Sequence, residues 1–206
     1  LGAHQWEHIS TKDFKKWQIH PMAVPITDST EGSICTGSWI KNGDKEYLYY
    51  TVRMGRGHAA PIRRSISYDG YHFEKDQAFG FTVSEKYHAA SARDPKVIKD
   101  EDGLFHMFLT TSLIEEGKGC LAHYVSRDME SWEEMERPIY VAPGKDQPEC
   151  PDYFEYGGAQ RDLDALGKML YRQAKERGVP LKLTLLCMHN FAGEVPQWCD
   201  EVTEVA

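Results

Sequence analysis

A repeat of just under 60 residues constrains the fold of this chain more than any other feature. Segments 8–24, 65–81 and 123–141 each carry a serine, an aspartate shortly after it and an aromatic residue four positions beyond the aspartate. The three sets are Ser10, Asp13 and Trp17; Ser67, Asp69 and Phe73; and Ser126, Asp128 and Trp132. Because the aspartates recur once per unit, we interpret them as turn residues and not as catalytic groups.

A second motif alternates with the first. Residues 39–52 and 96–111 both read as a strand, a polar turn containing glycine and a second strand, and the second strands are rich in aromatic residues. Asn-Gly and Asp-Gly in these turns are strong hairpin signals. Residues 149–158 resemble the start of a third copy.

The two motifs together predict four strands per unit, which is typical of a β-propeller blade. Another all-β sandwich is the alternative. The prediction is an all-β chain of β-propeller type over residues 1–158, with an edge strand, two whole blades and the start of another, about two and a half blades in all. A closed propeller needs four or more blades, so this is part of one.

Residues 159–206 change character and form the second predicted domain, a short α/β tail of unknown role. Apolar residues at helical spacing predict a helix over 161–178, which Gly178 and Pro180 end. Residues 181–188 are a compact strand candidate, and residues 189–206 read as irregular.

Composition excludes several classes of function. The net charge of −8 gives no electrostatic basis for binding nucleic acid or an anionic membrane. No apolar run approaches the roughly 18 residues that a membrane span needs. Aromatic residues make up 12% of the chain, which suits β-sheet and also sugar contact.

Five cysteines are scattered without a Cys-x-x-Cys pair, which argues against a disulfide framework and a zinc site. We expect mostly reduced thiols, no metal and no cofactor. The sequence opens on Leu1 without a recognisable signal peptide, and we expect the natural N-terminus to lie upstream. The location stays unknown, with the cysteine pattern favouring the cytoplasm.

Four motifs resemble glycoside hydrolase family 32, the β-fructofuranosidases. They are the Trp-x-His segment starting at Trp6, Thr-Gly-Ser-Trp at 36–39, Arg-Asp-Pro at 93–95 and Glu-Cys-Pro-Asp at 149–152. The resemblance implies a five-bladed propeller with a funnel-shaped site on its axis. It also implies retaining hydrolysis of β-fructosides such as sucrose or fructans.

The resemblance also implies roles for individual residues. Glu149 corresponds to the general acid/base, and Asp94 to the aspartate that holds sugar hydroxyls and stabilises the transition state. Arg93, Ser38, Trp39 and Cys150 are the expected substrate-binding residues. The resemblance places the nucleophile in an Asn-Asp-Pro motif, which this sequence does not contain.

The residues themselves suggest how the two carboxyl groups differ. Glu149 lies between Pro148 and Cys150, and this apolar setting predicts a raised pKa, as would the like charges of Asp152 and Asp94 nearby. Asp94 is next to Arg93 and is expected to stay ionised.

Three readings remain open: a β-fructosidase, an inactive carbohydrate-binding propeller fragment, or a related five-bladed arabinosidase, xylosidase or mannoside phosphorylase. The expected partner in each case is a carbohydrate. Exposed blade edges also predict instability or homo-oligomers.

Overall fold

The computed structural model describes residues 4–55, 57–153, 176, 184–187 and 201–204. The chain divides into two units, Leu1–Asp152 and Tyr153–Ala206. Within the described residues, no helix has the length and apolar character needed to cross a membrane.

The described residues of the first unit form eleven strands and one short 3₁₀ turn at Ala89–Ser91. In chain order the strands are β1 (Ile9–Thr11), β2 (Trp17–Ile19), β3 (Ser33–Asn42), β4 (Lys45–Arg53), β5 (Ile62–Ser67), β6 (Glu74–Lys75), β7 (Arg93–Lys99), β8 (Phe105–Ser112), β9 (Gly119–Ser126), β10 (Glu133–Glu134) and β11 (Tyr140–Val141).

Two antiparallel four-stranded meanders dominate this unit. The first blade has the strand order β3-β4-β5-β6, and the second has β7-β8-β9-β10, with β11 pairing to β9 as well. A two-residue turn with Gly43 at φ 63° closes the β3–β4 hairpin. The pair β1–β2 precedes them as an outer hairpin. The prediction of an all-β, incomplete propeller is confirmed.

The repeated sequence forms one turn, made three times. In the second blade Ser126 Oγ accepts the N–H groups of Asp128 and Met129. Asp128 Oδ1 accepts the N–H groups of Glu130 and Ser131. Met129 has a positive φ of 65°. The turn at Ser67 and Asp69 has the same bonds.

The first copy of the turn differs from the predicted alignment by one position. Thr11, and not Ser10, supplies the hydroxyl that accepts the N–H groups of Asp13 and Phe14. Ser10 instead bonds His20 at 2.7 Å. The spacing from hydroxyl to aspartate is therefore constant in all three copies, because the turn geometry requires it.

The main core lies between the two blades. Alternate residues of β4 point toward the second blade, and Tyr49 packs there in one cluster with Met107 and Leu109. The opposite face of β4 packs against Val24 and Trp6 in a smaller cluster. Strand alternation thus makes the first blade hydrophobic on both faces.

The outer hairpin leaves apolar side chains uncovered. Ile9 and Ile19 are directly paired across β1 and β2, and they are 52% and 79% exposed. Self-association through such edges stays a prediction.

The second unit contains two described strands, β12 (Thr184–Cys187) and β13 (Glu201–Glu204), which pair in parallel. β12 falls within the predicted strand over 181–188. β13 corrects the prediction of an irregular end, because four residues are too few for a clear alternation signal. The predicted helix over 161–178 lies outside the described residues except for Glu176, which is helical. The start of a third blade at 149–158 is also partly outside them, and residues 149–153 form no strand.

Candidate active site

A β-bulge determines where Asp94 points. Arg93 pairs with Thr110 and Lys96 pairs with Phe108, so Asp94 and Pro95 together oppose the single residue Leu109. Asp94 has φ 55°, a left-handed conformation that aspartate tolerates better than most residues. Bulges re-aim side chains, and this one turns Asp94 toward a cleft at the start of the inner strand.

Asp94 is buried, with 5% of its surface exposed. Its Oδ2 atom accepts the backbone N–H of Cys150 at 3.1 Å and lies 3.5 Å from Nε of Arg93. The Cys150 thiol lies 3.8 Å from the same oxygen. Each polar contact described for Asp94 uses Oδ2, so Oδ1 is the oxygen available to a ligand.

Arg93 connects the two carboxylates of the site. Its Nη2 donates to Glu149 Oε1 at 2.5 Å, while its Nε faces Asp94. Its Nη1 donates to the carbonyl of Ser91 and to the side-chain oxygen of Gln147. The Arg93 side chain is 14% exposed, so its charge is neutralised in a largely buried setting.

The segment that carries Glu149 crosses closely over the end of the second blade. A Cβ atom added at Gly119 would lie 2.1 Å from the carbonyl oxygen of Asp146, so only glycine permits this approach. Thr110 donates its hydroxyl to the carbonyl of Pro148 at 2.6 Å. Cys150 then turns the chain with φ 51°.

Gln147 fills the space beneath this segment. Its Nε2 donates to Ser91 Oγ at 2.9 Å and to Ser112 Oγ at 2.6 Å. Its Oε1 accepts from Arg93 at 2.5 Å. Gln147 was not predicted as a site residue, because a glutamine two residues before the glutamate carries no signal of its own.

A cleft with a volume of about 910 Å³ opens beside Arg93. Four of the predicted site residues line it: Arg93, Asp94, Glu149 and Cys150. The cleft also includes Trp6 and Thr36, which belong to the quoted motifs but were assigned no role, and Cys35 and Arg53, which were not predicted.

The surroundings of the two carboxyl groups differ from the predicted ones. Burial raises the pKa of Asp94, and Glu149 adds to the rise, while the Cys150 N–H and Arg93 oppose it. The net direction is upward, the reverse of what Arg93 alone would produce. The side chain of Glu149 is 67% exposed and paired with Arg93, so its predicted apolar setting is wrong. Of its two expected like-charge neighbours, Asp152 pairs with Lys96, and Asp94 contacts the same Arg93 guanidinium as Glu149.

Ser38 and Trp39 are not part of the cleft lining. Ser38 is buried, donates to the carbonyl of Pro95 at 2.8 Å and accepts the N–H of Val97 at 2.9 Å. Trp39 is 53% exposed and donates its indole N–H to Glu46. The structure therefore gives Ser38 an inter-blade role, and nothing places Trp39 beside the carboxylates.

Burial raises the pKa of both the Cys35 and the Cys150 thiol, which favours the protonated form. Among the residues that the structure describes, no group of three or more His, Cys, Asp or Glu side chains is arranged to hold a metal ion.

Comparison with known proteins agrees with the four motifs. The chain matches the model of the glycosyl hydrolases family 32 N-terminal domain over residues 1–180, a range that includes the first part of the predicted tail. It is 30% identical over 176 residues to a probable sucrose-6-phosphate hydrolase of Psychromonas ingrahamii, covering 79% of this chain and 30% of that relative.

Two solved structures show the same architecture. A β-fructofuranosidase of Bombyx mori is 27% identical with a TM-score of 0.61, and the match covers 75% of this chain and 33% of that one. Fructan 1-exohydrolase IIa of Cichorium intybus gives a TM-score of 0.64 at 20% identity, over 74% of this chain and 30% of the other, which shows the fold alone.

The chain spans about a third of the length of these relatives. Its motifs, its propeller blades and the family match all agree, so the chain belongs to glycosyl hydrolase family 32.

Proposed function

We propose that this chain carries the acid/base and stabilising side of a β-fructofuranosidase site, for retaining hydrolysis of sucrose or fructans. The observation that carries the proposal is the single guanidinium of Arg93 that contacts both Asp94 and Glu149 in one cleft. Names of the relatives, which include sucrose-6-phosphate hydrolases and a fructan 1-exohydrolase, support this class of substrate.

Glu149 suits the proton-transfer role because it is the accessible carboxyl group. It would protonate the leaving glycosidic oxygen, and the resulting carboxylate would then remove a proton from the attacking water. Its exposed side chain can move between Arg93 and the leaving group.

Asp94 suits a fixed supporting role. Its backbone is set in the bulge, and its Oδ2 is held by the Cys150 N–H. The free Oδ1 would accept hydrogen bonds from sugar hydroxyls, and its negative charge would stabilise the positive charge that develops on the fructosyl ring.

The proposal assigns the attacking carboxylate to no residue of this sequence, which lacks Asn-Asp-Pro. The same cleft also suits one second candidate, a carbohydrate-binding propeller that binds fructosides without turning them over.

The test combines turnover and binding for the purified chain. Fructose release from sucrose would be followed enzymatically, and sucrose binding by titration calorimetry, for the wild type, Glu149→Gln and Glu133→Gln. Glu133 is an exposed strand residue of the second blade and serves as the matched control.

Release that Glu149→Gln abolishes and Glu133→Gln retains supports the hydrolase. Binding without release, unchanged in Glu149→Gln, supports the carbohydrate-binding candidate. A folded chain that neither binds nor cleaves sucrose or 1-kestose contradicts the proposal.

A further inference from the structure

We propose that Gln147 is a positioning residue, which holds the Arg93 guanidinium so that it pairs with Glu149 and faces Asp94 at the same time. The inference rests on the proposed function, since it concerns the same cleft.

The amide of Gln147 can be oriented in only one way. An arginine has donors and no acceptor, so the oxygen of the amide must face Arg93. The nitrogen then faces Ser91 and Ser112, whose hydroxyl oxygens accept both of its hydrogens at 2.9 and 2.6 Å. All three contacts fix the amide, and Gln147 is half-buried.

The two serines lie at the ends of hydrogen-bonded elements of the second blade. Ser91 ends the 3₁₀ turn before β7, and Ser112 ends β8. Next to Gln147, the Pro148 carbonyl is held by Thr110, and the contact of Asp146 with Gly119 fixes the preceding residue. Gln147 therefore links these two ends of the blade to the Arg93 side chain in the cleft.

The orientation of the Arg93 guanidinium matters because its two carboxylate partners contact different nitrogen atoms. Nη2 binds Glu149 and Nε faces Asp94, so a rotation of the guanidinium would break one contact or the other. Nη1 is the atom that remains, and it is held by Gln147 and by the Ser91 carbonyl.

Glu149 gains most from this arrangement. Its side chain is 67% exposed, and an exposed glutamate samples many rotamers unless a partner selects one. By holding Arg93, Gln147 restricts the rotamers of Glu149, the exposed proton donor. Misplacement of such a group by about 1 Å lowers rates on the order of 100-fold, and we expect partial misplacement here.

The first test reads the site without relying on turnover. The ¹³C signal of the Asp94 carboxyl group, assigned with Asp94→Asn, would be titrated in the wild type, Gln147→Met, Arg93→Met and Gln18→Met. Methionine preserves the length of glutamine and removes its hydrogen bonds. Gln18, exposed on β2, is the matched control.

Loss of the Arg93 contact should raise the pKa of Asp94, because Arg93 opposes the effect of burial there. We expect Arg93→Met to give the full rise, Gln147→Met a smaller rise in the same direction and Gln18→Met none. Ser112→Ala, which removes one partner of Gln147, should fold like the wild type and give a still smaller rise.

An Asp94 titration identical in the wild type, Gln147→Met and Ser112→Ala, with intact circular dichroism spectra, would overturn the proposal. If Gln147→Met does not fold, the Ser112→Ala titration decides alone.

The second test uses turnover to separate this proposal from the function itself. If the chain releases fructose, kcat of Gln147→Met should fall about 10-fold with little change in KM. A chain without turnover that still gives the Asp94 shift would retain the positioning role and reject the hydrolase. Fructose release at equal rates in the wild type and Gln147→Met, with no change in the pKa of Asp94, would support the hydrolase and reject the positioning role of Gln147.

Discussion

Arg64 of the first blade donates from Nη1 to the Met129 carbonyl of the second blade at 2.7 Å. The Arg64 side chain is 3% exposed, and its Nη2 also pairs with Asp76 and Glu130 at 2.7 and 2.5 Å. Its guanidinium lies 4.3 Å from the centre of the Phe79 ring. One buried cation therefore joins the outer part of one blade to the repeated turn of the next.

Replacing Arg64 by methionine should lower the free energy of unfolding by about 3 kcal/mol, because it removes the buried cation that pairs with Asp76 and bonds the Met129 carbonyl across the blades. Urea unfolding followed by circular dichroism measures the change. The control is Lys41→Met, since the Lys41 side chain is 55% exposed and its pair with Glu46 should contribute less than about 1 kcal/mol. Equal losses in both variants would contradict the inter-blade role of Arg64.

Ser38→Ala should destabilise the chain by about 1–3 kcal/mol, because the Pro95 carbonyl and the Val97 N–H would stay buried without a hydrogen bond. Sucrose binding by the folded variant should not change, since Ser38 does not line the cleft. Thermal melts and calorimetry measure the two effects, with the exposed Ser29→Ala as control. Weaker binding at unchanged stability would restore the predicted substrate contact.

Gly119→Ala should displace the segment that carries Gln147 and Glu149, because the new Cβ would lie 2.1 Å from the Asp146 carbonyl oxygen. We expect a loss of about 1–3 kcal/mol in unfolding free energy. Gly144→Ala is the matched control, since no atom lies within 4 Å of its added Cβ. Chemical denaturation measures the unfolding free energy of both variants. If Gly119→Ala is as stable as the wild type, the segment that carries Gln147 and Glu149 can shift without cost, which contradicts the prediction.

His123 should make the fold sensitive to acid. Burial lowers its pKa to about 4, and the neighbouring His106, which bonds it at 2.9 Å, acts in the same direction. His106 in turn bonds Asp100 at 3.0 Å. An unfolded histidine titrates near pH 6.5, so between about pH 6.5 and 4 only the unfolded state binds this proton, and stability falls as the pH falls.

Between pH 7 and pH 4.5 the wild type should lose on the order of 2–3 kcal/mol that His123→Gln does not lose. Urea titrations at the two pH values measure it. His72→Gln is the control, because the His72 side chain is 69% exposed. If the unfolding free energies of the wild type and His123→Gln depend on pH in the same way, groups other than His123 cause the loss of stability in acid.

Much of the blade architecture could be predicted from the sequence because the repeat encodes a turn, and each turn fixes the strands on both sides. The alignment failed only at Ser10, where a neighbouring threonine offers the same hydroxyl. Short strands such as β13 were missed, because four residues show too little alternation.

The site was predictable in part. Asp94, Glu149 and Arg93 were found through their motifs, but the bulge that aims Asp94 depends on a register shift that no local pattern reveals. The exposure of Glu149 was mistaken, because neighbouring prolines say nothing about which surface the side chain faces. Gln147 depends on contacts with residues 35 and 56 positions away, Ser112 and Ser91.

The central claim is that Asp94 and Glu149 act in one hydrolytic site, and the rate of fructose release from sucrose tests it most directly. The rate should be measured for the wild type, Asp94→Asn, Glu149→Gln and Glu133→Gln at equal concentrations of folded protein. We predict a fall on the order of 100-fold or more in the two site variants and an unchanged rate in Glu133→Gln. Wild-type rates in either Asp94→Asn or Glu149→Gln would contradict the account.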